Sequence, residues 1–355
     1  MKKKRVYSIM RRLAAFFAAV AIFVSVAGCG AVPNTQTDPT AVPTETEGRS
    51  ISVTDQAGRT VTLEQPAQTL VSCYYITTYA TMALGISDRV VGLEKKADTR
   101  PIYHMAAPAL LEKEQVGTLK DFSVETAAAL DPDLVLMPQK LEQYADTLTE
   151  LGIQVLVVDP ESQEDMEQML LLIGEACGAL PRAQELVTYY HQQLDRIKEL
   201  MAGQEAPRVY MAGNGSYLTA APNEMYQSDL IGIAGGQNAM ASLSGDYWTE
   251  VSYEAILAAD PQVMVIPGGA SYTAADVLAD PNLSDVQAVR DQRVYQMPTG
   301  IEEWDSPIPS GILGALWLTS VLHPEVYPFD TFCQDAADFY QTFYGFEIDK
   351  GLITQ

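Results

Sequence analysis

The stretch PRAQELVTYYHQQLDRIKELM, Pro181 to Met201, decides the fold. It holds no glycine and no proline after its first residue. Apolar residues recur at Leu186, Val187, Tyr190, Leu194, Ile197, Leu200 and Met201, which is the spacing of one helix face. Pro181 suits a first helical turn, where its missing N–H is not needed, and Gly203 supplies the stop. These 21 residues would span about 30 Å as a helix, long enough to join one lobe to another.

The same pattern stands on either side of that helix. Before it, short apolar runs at Thr69–Ser72, Arg89–Leu93, Asp133–Met137 and Ile153–Val158 alternate with helical spacing at Tyr79–Gly85 and Leu141–Leu151. After it, Arg208–Ala212, Gln262–Ile266 and Arg293–Gln296 read as strands. Alternation of this kind predicts parallel sheets covered by helices. The two halves also repeat each other. SVETAAALDPDLVLMP, Ser123 to Pro138, aligns without gaps on SYEAILAADPQVMVIP, Ser252 to Pro267. Each copy reads as an N-capping serine, a helix, an Asp-Pro turn and a buried strand. Glu125 and Glu254 fall in the first helical turn, where the helix dipole favours an acid. The predicted fold class is therefore α/β, with two Rossmann-like lobes joined by a single long helix.

The 355 residues hold 22 Lys and Arg against 46 Asp and Glu, a formal charge of −24. Six of the basic residues and none of the acidic ones lie in positions 1–28, so the remainder carries −30. A field of that sign repels phosphate backbones and argues against a nucleic-acid partner. The first segment has a basic start, an apolar run of about fifteen residues from Leu13 to Ala27, and small residues before Cys29. That run is too short for a membrane-spanning helix and has the layout of a secretory signal. Cys29 after Val26-Ala27-Gly28 resembles a bacterial lipobox, which implies cleavage before Cys29, acylation there and a stable anchor on the extracytoplasmic face of the cell membrane. Residues 31–49, rich in Pro, Thr and Glu, read as an extended tether. The expected organisation is thus a signal at 1–28, a lipidated cysteine and tether at 29–49, an N-terminal lobe at 50–180, the connecting helix at 181–203 and a C-terminal lobe at 204–355. Cys73, Cys177 and Cys333 have no metal-site or disulfide spacing and read as core or free thiols. Nothing in the pattern calls for a cofactor or a metal.

At this point the chain resembles the bacterial ABC-importer substrate-binding lipoproteins that carry ferric siderophores, haem or cobalamin. The resemblance runs from about Ile51 to the end. It rests on SVTDQAGRTV at Ser52–Val61, ALGISDRVVG at Ala83–Gly92 and Val116-Gly117. It continues with Glu125 and the Leu130–Val135 run, LIGIAGGQN at Leu230–Asn238, WTEVSYE at Trp248–Glu254 and Arg293-Val294-Tyr295. The resemblance implies the class III architecture, a monomer that captures ligand between its lobes, and docking on an ABC permease and its ATPase. It also implies that Glu125 and Glu254, one per lobe, pair with permease arginines.

In a two-lobed α/β protein, ligand contacts come from loops at the carboxyl ends of strands. On that rule the expected ligand set is Tyr74, Tyr75, Arg100, Tyr103, Tyr217, Trp248, Glu303, Trp304 and Asp305. Arg100 is the lone arginine of this set beside the acids Glu303 and Asp305, which favours a neutral or cationic chelate, such as a corrinoid or hydroxamate complex. Tyr103 stands near the place where the haem-binding branch has an iron-ligating tyrosine. Haem and a molybdate-type oxyanion are the alternatives within the importer class. An enzyme is not expected, because GxSxG, GxxxxGK[ST], HExxH and a strand-linked GxGxxG are all missing from the sequence. A surface adhesin or interaction lipoprotein would account for the anchor and tether but not for the repeated lobe.

Overall fold

The computed structural model describes residues 50–355 except 246. The expected signal segment, Cys29 and the tether lie outside the described residues. No described helix is long and apolar enough to cross a membrane.

The first lobe is built on a five-stranded parallel sheet. Its spatial order is Glu114–Gly117, Val90–Glu94, Leu70–Ser72, Leu134–Pro138 and Gln154–Val158, with Leu70 opposite both Val90 and Leu134. All five residues of Leu134–Pro138 are buried, as expected of a strand covered by helices on both faces. An antiparallel hairpin, Ile51–Thr54 with Thr60–Leu63, precedes the sheet. The Asp55 carboxylate pins it to the last strand by accepting from the amides of Ala57, Arg59 and Val157.

The second lobe repeats the scheme with four parallel strands, in the order Gln237–Asn238, Arg208–Met211, Val263–Ile266 and Val294–Gln296. The sequence repeat persists at the backbone. Helices Val124–Ala129 and Tyr253–Ala259 are capped by Ser123 and Ser252, whose hydroxyls accept from the amides of Thr126 and Ala255. Asp131 and Asp260, each just before a proline, share the left-handed conformation at φ 47° and 40°.

The connecting helix runs from Leu180 to Leu200, starting one residue before the proline. It is not a bare strut. Ala183, Leu186, Tyr190 and Ile197 are buried in a core that continues from the first lobe into the second. Arg196 also reaches Asp335 of the Phe329–Phe343 helix at 2.7 Å. Each lobe has a private core on the other face of its sheet. The aromatic run near the C-terminus packs inward, with Phe339, Tyr340 and Phe343 all buried. Cys73, Cys177 and Cys333 are free and buried.

One irregular segment behaves as core. Between the strand ending at Gln296 and the helix starting at Ile312, Ile301, Glu302, Trp304, Asp305 and Ile308 to Ser310 are buried, while Glu303 is exposed and Ser306 and Pro307 are half-buried. Tyr190 of the connecting helix donates its hydroxyl to the carbonyls of Ile308 and Pro309 at 3.1 and 2.8 Å. Trp304 Nε1 donates to the Tyr340 hydroxyl at 2.8 Å, and Tyr340 donates in turn to Glu302 at 2.6 Å. Ser310 donates to the same carboxylate oxygen at 2.6 Å. These bonds satisfy backbone and side-chain groups that burial would otherwise leave unpaired at a cost of about 1–3 kcal/mol each.

Candidate functional site

Parallel strands bring their carboxyl ends to one edge of each sheet, and the loops there meet between the lobes. Strand Leu70–Ser72 ends in Cys73, Tyr74 and Tyr75, with a helix starting at Tyr75. The Tyr74 and Tyr75 rings meet edge-on at 4.6 Å. The Arg100 guanidinium lies 4.4 Å over the Tyr75 ring, a cation–π contact. A line of aromatics continues inward, from Tyr75 to Tyr79 at 5.4 Å and from Tyr79 to Tyr103 at 5.7 Å.

Two hollows open on either side of the tyrosine pair. One, of about 460 Å³, is walled by Cys73, Tyr74, Tyr75, Glu94, Lys95, Lys96, Arg100 and the loop Thr118–Lys120. The other, about 130 Å³, lies between Tyr74–Ile76, Pro138–Lys140, Val158–Glu161 and Pro307 of the second lobe. Ser306 of the second lobe lies beside the Tyr75 hydroxyl. The second lobe contributes Glu303, whose carboxylate lies 3.2 Å from where a Cβ on Gly269 would stand, with the Asn214 Oδ1 4.0 Å from the same point. Burial is the main cause raising the hydroxyl pKa of Tyr74 and Tyr75, and the Glu303 charge adds to it in both. Both tyrosines are therefore neutral donors at physiological pH. A larger hollow of about 880 Å³, lined by Glu64, Asp131 and Asp133 among others, opens at the starts of strands Leu134–Pro138 and Gln154–Val158. It sits at the wrong sheet edge for a ligand of this fold type.

The structure brings Tyr74, Tyr75, Arg100 and Glu303 together at the cleft. Three other expected contacts are corrected by their burial. Tyr103 has no exposed surface, and its hydroxyl is committed to the Glu94 carboxylate. Trp304 and Asp305 are 1% and 4% exposed, because the segment carrying them is packed against the connecting helix and the Phe329–Phe343 helix. Tyr217 donates to Asp280 at 2.9 Å and packs edge-on against Tyr272 within the second lobe. Trp248 packs over Gly213 just beyond strand Arg208–Met211. Glu125 and Glu254 are both exposed, each at the second position of its capped helix. Hydrogen bonds from its own amide and from Ser252 hold the Glu254 carboxyl below its usual range.

The sequence reading missed Glu94, Leu119, Lys120 and Glu161. Glu94 closes an apolar strand and is drawn inside by the Tyr103 and Thr78 hydroxyls. Its pKa is raised by burial, against the lowering effect of those two donors and of Arg100. Among the described residues no cluster of three His, Cys, Asp or Glu side chains could hold a metal ion.

The sequence profile of the periplasmic binding proteins matches residues 70–299. The chain belongs to the periplasmic binding protein family. This binding protein is 28% identical over 330 residues to the uncharacterized ABC transporter substrate-binding lipoprotein YvrC of Bacillus subtilis, covering 90% of this chain and 99% of that one. It is 24% identical over 323 residues to the molybdate-binding protein MolA of Haemophilus influenzae, covering 82% and 90%. Among solved structures, a periplasmic solute binding protein from Veillonella parvula superposes with a TM-score of 0.76 at 25% identity, covering 86% of this binding protein and 95% of its counterpart. The architecture is that of the class III binding proteins, as the sequence resemblance implied.

Proposed function

We propose that this chain is the extracytoplasmic substrate-binding component of an ABC importer, anchored in the membrane through a lipidated Cys29. It captures a metal chelate of the iron-siderophore or corrinoid type between its lobes and delivers it to the permease. The observation that carries this reading is the cleft itself, where Tyr74 and Tyr75 of one lobe lie beside Ser306 and Pro307 of the other and wall a hollow of about 460 Å³, a size that suits a small molecule. The likeness to YvrC supports the transporter class and the lipoprotein anchor. A second reading, capture of a bare metal oxyanion, is favoured by the relative named for binding molybdate.

A thermal-shift panel tests both readings on the full chain in detergent, with cobalamin, haemin, ferric hydroxamate, ferric catecholate and molybdate. A cognate ligand at a hundred times its Kd is expected to stabilise by about 2.7 kcal/mol, a rise of several degrees. A flat response to the whole panel would rule out both.

Docking is proposed at Glu125 and Glu254, the exposed acids of the repeated helices, which would meet basic permease loops. Reversing both charges, E125K with E254K, is expected to abolish uptake in cells while ligand affinity in the purified protein stays unchanged. Uptake at the wild-type rate in the double variant would sink the docking role.

A further inference from the structure

Positive charge is scarce in this protein and is gathered at one place. Positions 50–355 contain 15 Lys and Arg residues, and four of them, Lys95, Lys96, Arg100 and Lys120, wall the single hollow of about 460 Å³ beside Tyr74 and Tyr75. Lys95 is paired with Asp121 at 2.9 Å. Among the described residues no carboxylate lies within 4.0 Å of the charged ends of Lys96, Arg100 or Lys120, although acids outnumber bases about threefold outside the first 28 positions. Arg100 is held in place by the Tyr75 ring and by the Lys96 carbonyl at 3.5 Å, neither of which neutralises it. Lys96 occupies the left-handed backbone region at φ 70°, a conformation that favours glycine and that persists in non-glycine residues mainly where the surroundings enforce it. The one acid in the wall, Glu94, is 5% exposed and turned away, its two oxygens taken by Tyr103 and Thr78.

The rest of the cleft has the opposite sign. Asp159 and Glu161 flank the smaller hollow with Lys140 as their counterweight, and the second-lobe Glu303 lies close enough to Tyr74 and Tyr75 for its charge to act on both. The sequence alone pointed to a neutral or cationic chelate because Asp305 counted as a cleft acid and Arg100 as the lone arginine. Burial removes Asp305 from that balance, and the hollow gathers Lys95, Lys96 and Lys120 beside Arg100.

We propose that the ligand carries an anionic group, received by Lys96, Arg100 and Lys120 in the first-lobe hollow, with its uncharged or cationic part turned toward Glu303. This rests on the importer reading of the cleft and names the charge of its substrate. A cation set of this kind takes a carboxylate, catecholate or oxyanion edge by charge-assisted hydrogen bonds.

The test is calorimetric titration of the full chain in detergent with a charge-graded set of probes. The set is molybdate, a trianionic ferric tris-catecholate, a neutral ferric trihydroxamate, cyanocobalamin and cationic cobinamide. An anionic probe is expected to bind tightest and to weaken as salt is raised. In the triple variant K96Q/R100Q/K120Q its affinity is expected to fall by roughly tenfold or more, whereas Glu303→Gln should tighten it by removing repulsion. Tightest binding of a neutral or cationic probe overturns the proposal, as does an anion bound equally well by the triple variant. Binding of none of the probes overturns the chelate reading of the cleft itself, and the charge assignment falls with it.

Discussion

Replacing Trp304 with alanine is expected to lower the melting temperature by roughly 6–12 °C. Truncating a buried aromatic costs about 3–5 kcal/mol, and each kcal/mol is worth about 2–4 °C in a domain of 150–250 residues, with less in a larger one. Trp304 sits at the upper end of that range for three reasons. It is 1% exposed. Its ring meets Phe332 edge-on at 5.6 Å. Its backbone lies so close to the Ile312–Leu322 helix that a Cβ on Gly314 would stand 2.3 Å from the Trp304 carbonyl oxygen, so the site has little room to collapse after truncation. Trp304→Phe keeps most of the bulk and removes only the donor to Tyr340, a loss of about 1 kcal/mol. Differential scanning calorimetry of both variants decides the matter. An alanine variant melting within about 2 °C of wild type would mean that this segment is not part of the core.

The second large effect is a pH dependence with an unusual sign. Burial pushes the Glu302 carboxyl up to about 7, against the lowering effect of hydrogen bonds from Ser310, Tyr340 and Tyr344. Burial, with the Glu303 charge adding, pushes Asp305 up to about 7 as well. In the unfolded chain both groups titrate near 4. Between about pH 4 and 7 the folded state therefore holds more protons than the unfolded one, and stability falls as pH rises through that window. Each unit of separation is worth about 1.4 kcal/mol, so the two groups together are expected to cost several kcal/mol by pH 7.5. The acids whose pKa is lowered in the fold, such as Asp133, Asp276 and Asp280, act below this window. Self-repulsion of the −30 surface acts in the same direction within it, so the difference between variants is the clean readout. The melting temperature of the wild-type protein is expected to rise on going from pH 7.5 to pH 5, and E302Q/D305N is expected to flatten that rise. An unchanged slope would show that both carboxyls are ionised in the fold at neutral pH.

Legibility in the sequence followed local chemistry. The Ser123 and Ser252 repeats were readable because capping, an Asp-Pro turn and a wholly apolar strand are each set by neighbouring residues. The Glu114–Gly117 and Gln237–Asn238 strands were not, because their polar residues join a sheet edge only through register with Val90–Glu94 and Arg208–Met211. That gap carried into the site: with Glu114–Gly117 unread, the following loop with Leu119 and Lys120 had no place in the cleft. Tyr74, Tyr75 and Arg100 could be placed at the cleft hollow because parallel strands deliver their following loops to one sheet edge. Trp304 and Asp305 were misplaced by the companion assumption that irregular segments lie on the surface. Their burial depends on Tyr190 and Tyr340, more than thirty residues away along the chain in either direction, which no local pattern could reveal.

That same segment, Ile301 to Gly311, changes how the native protein meets a protease. A protease needs several consecutive residues drawn out into an extended strand, and exposed loop tips normally supply them. Here the backbone is tied down at Ile308 and Pro309 by Tyr190 and anchored at Trp304 by Tyr340. Cleavage there must wait for opening of the shared core, and its rate then follows the population of that open state. This segment, irregular in its backbone, is cut no sooner than the helices it packs against.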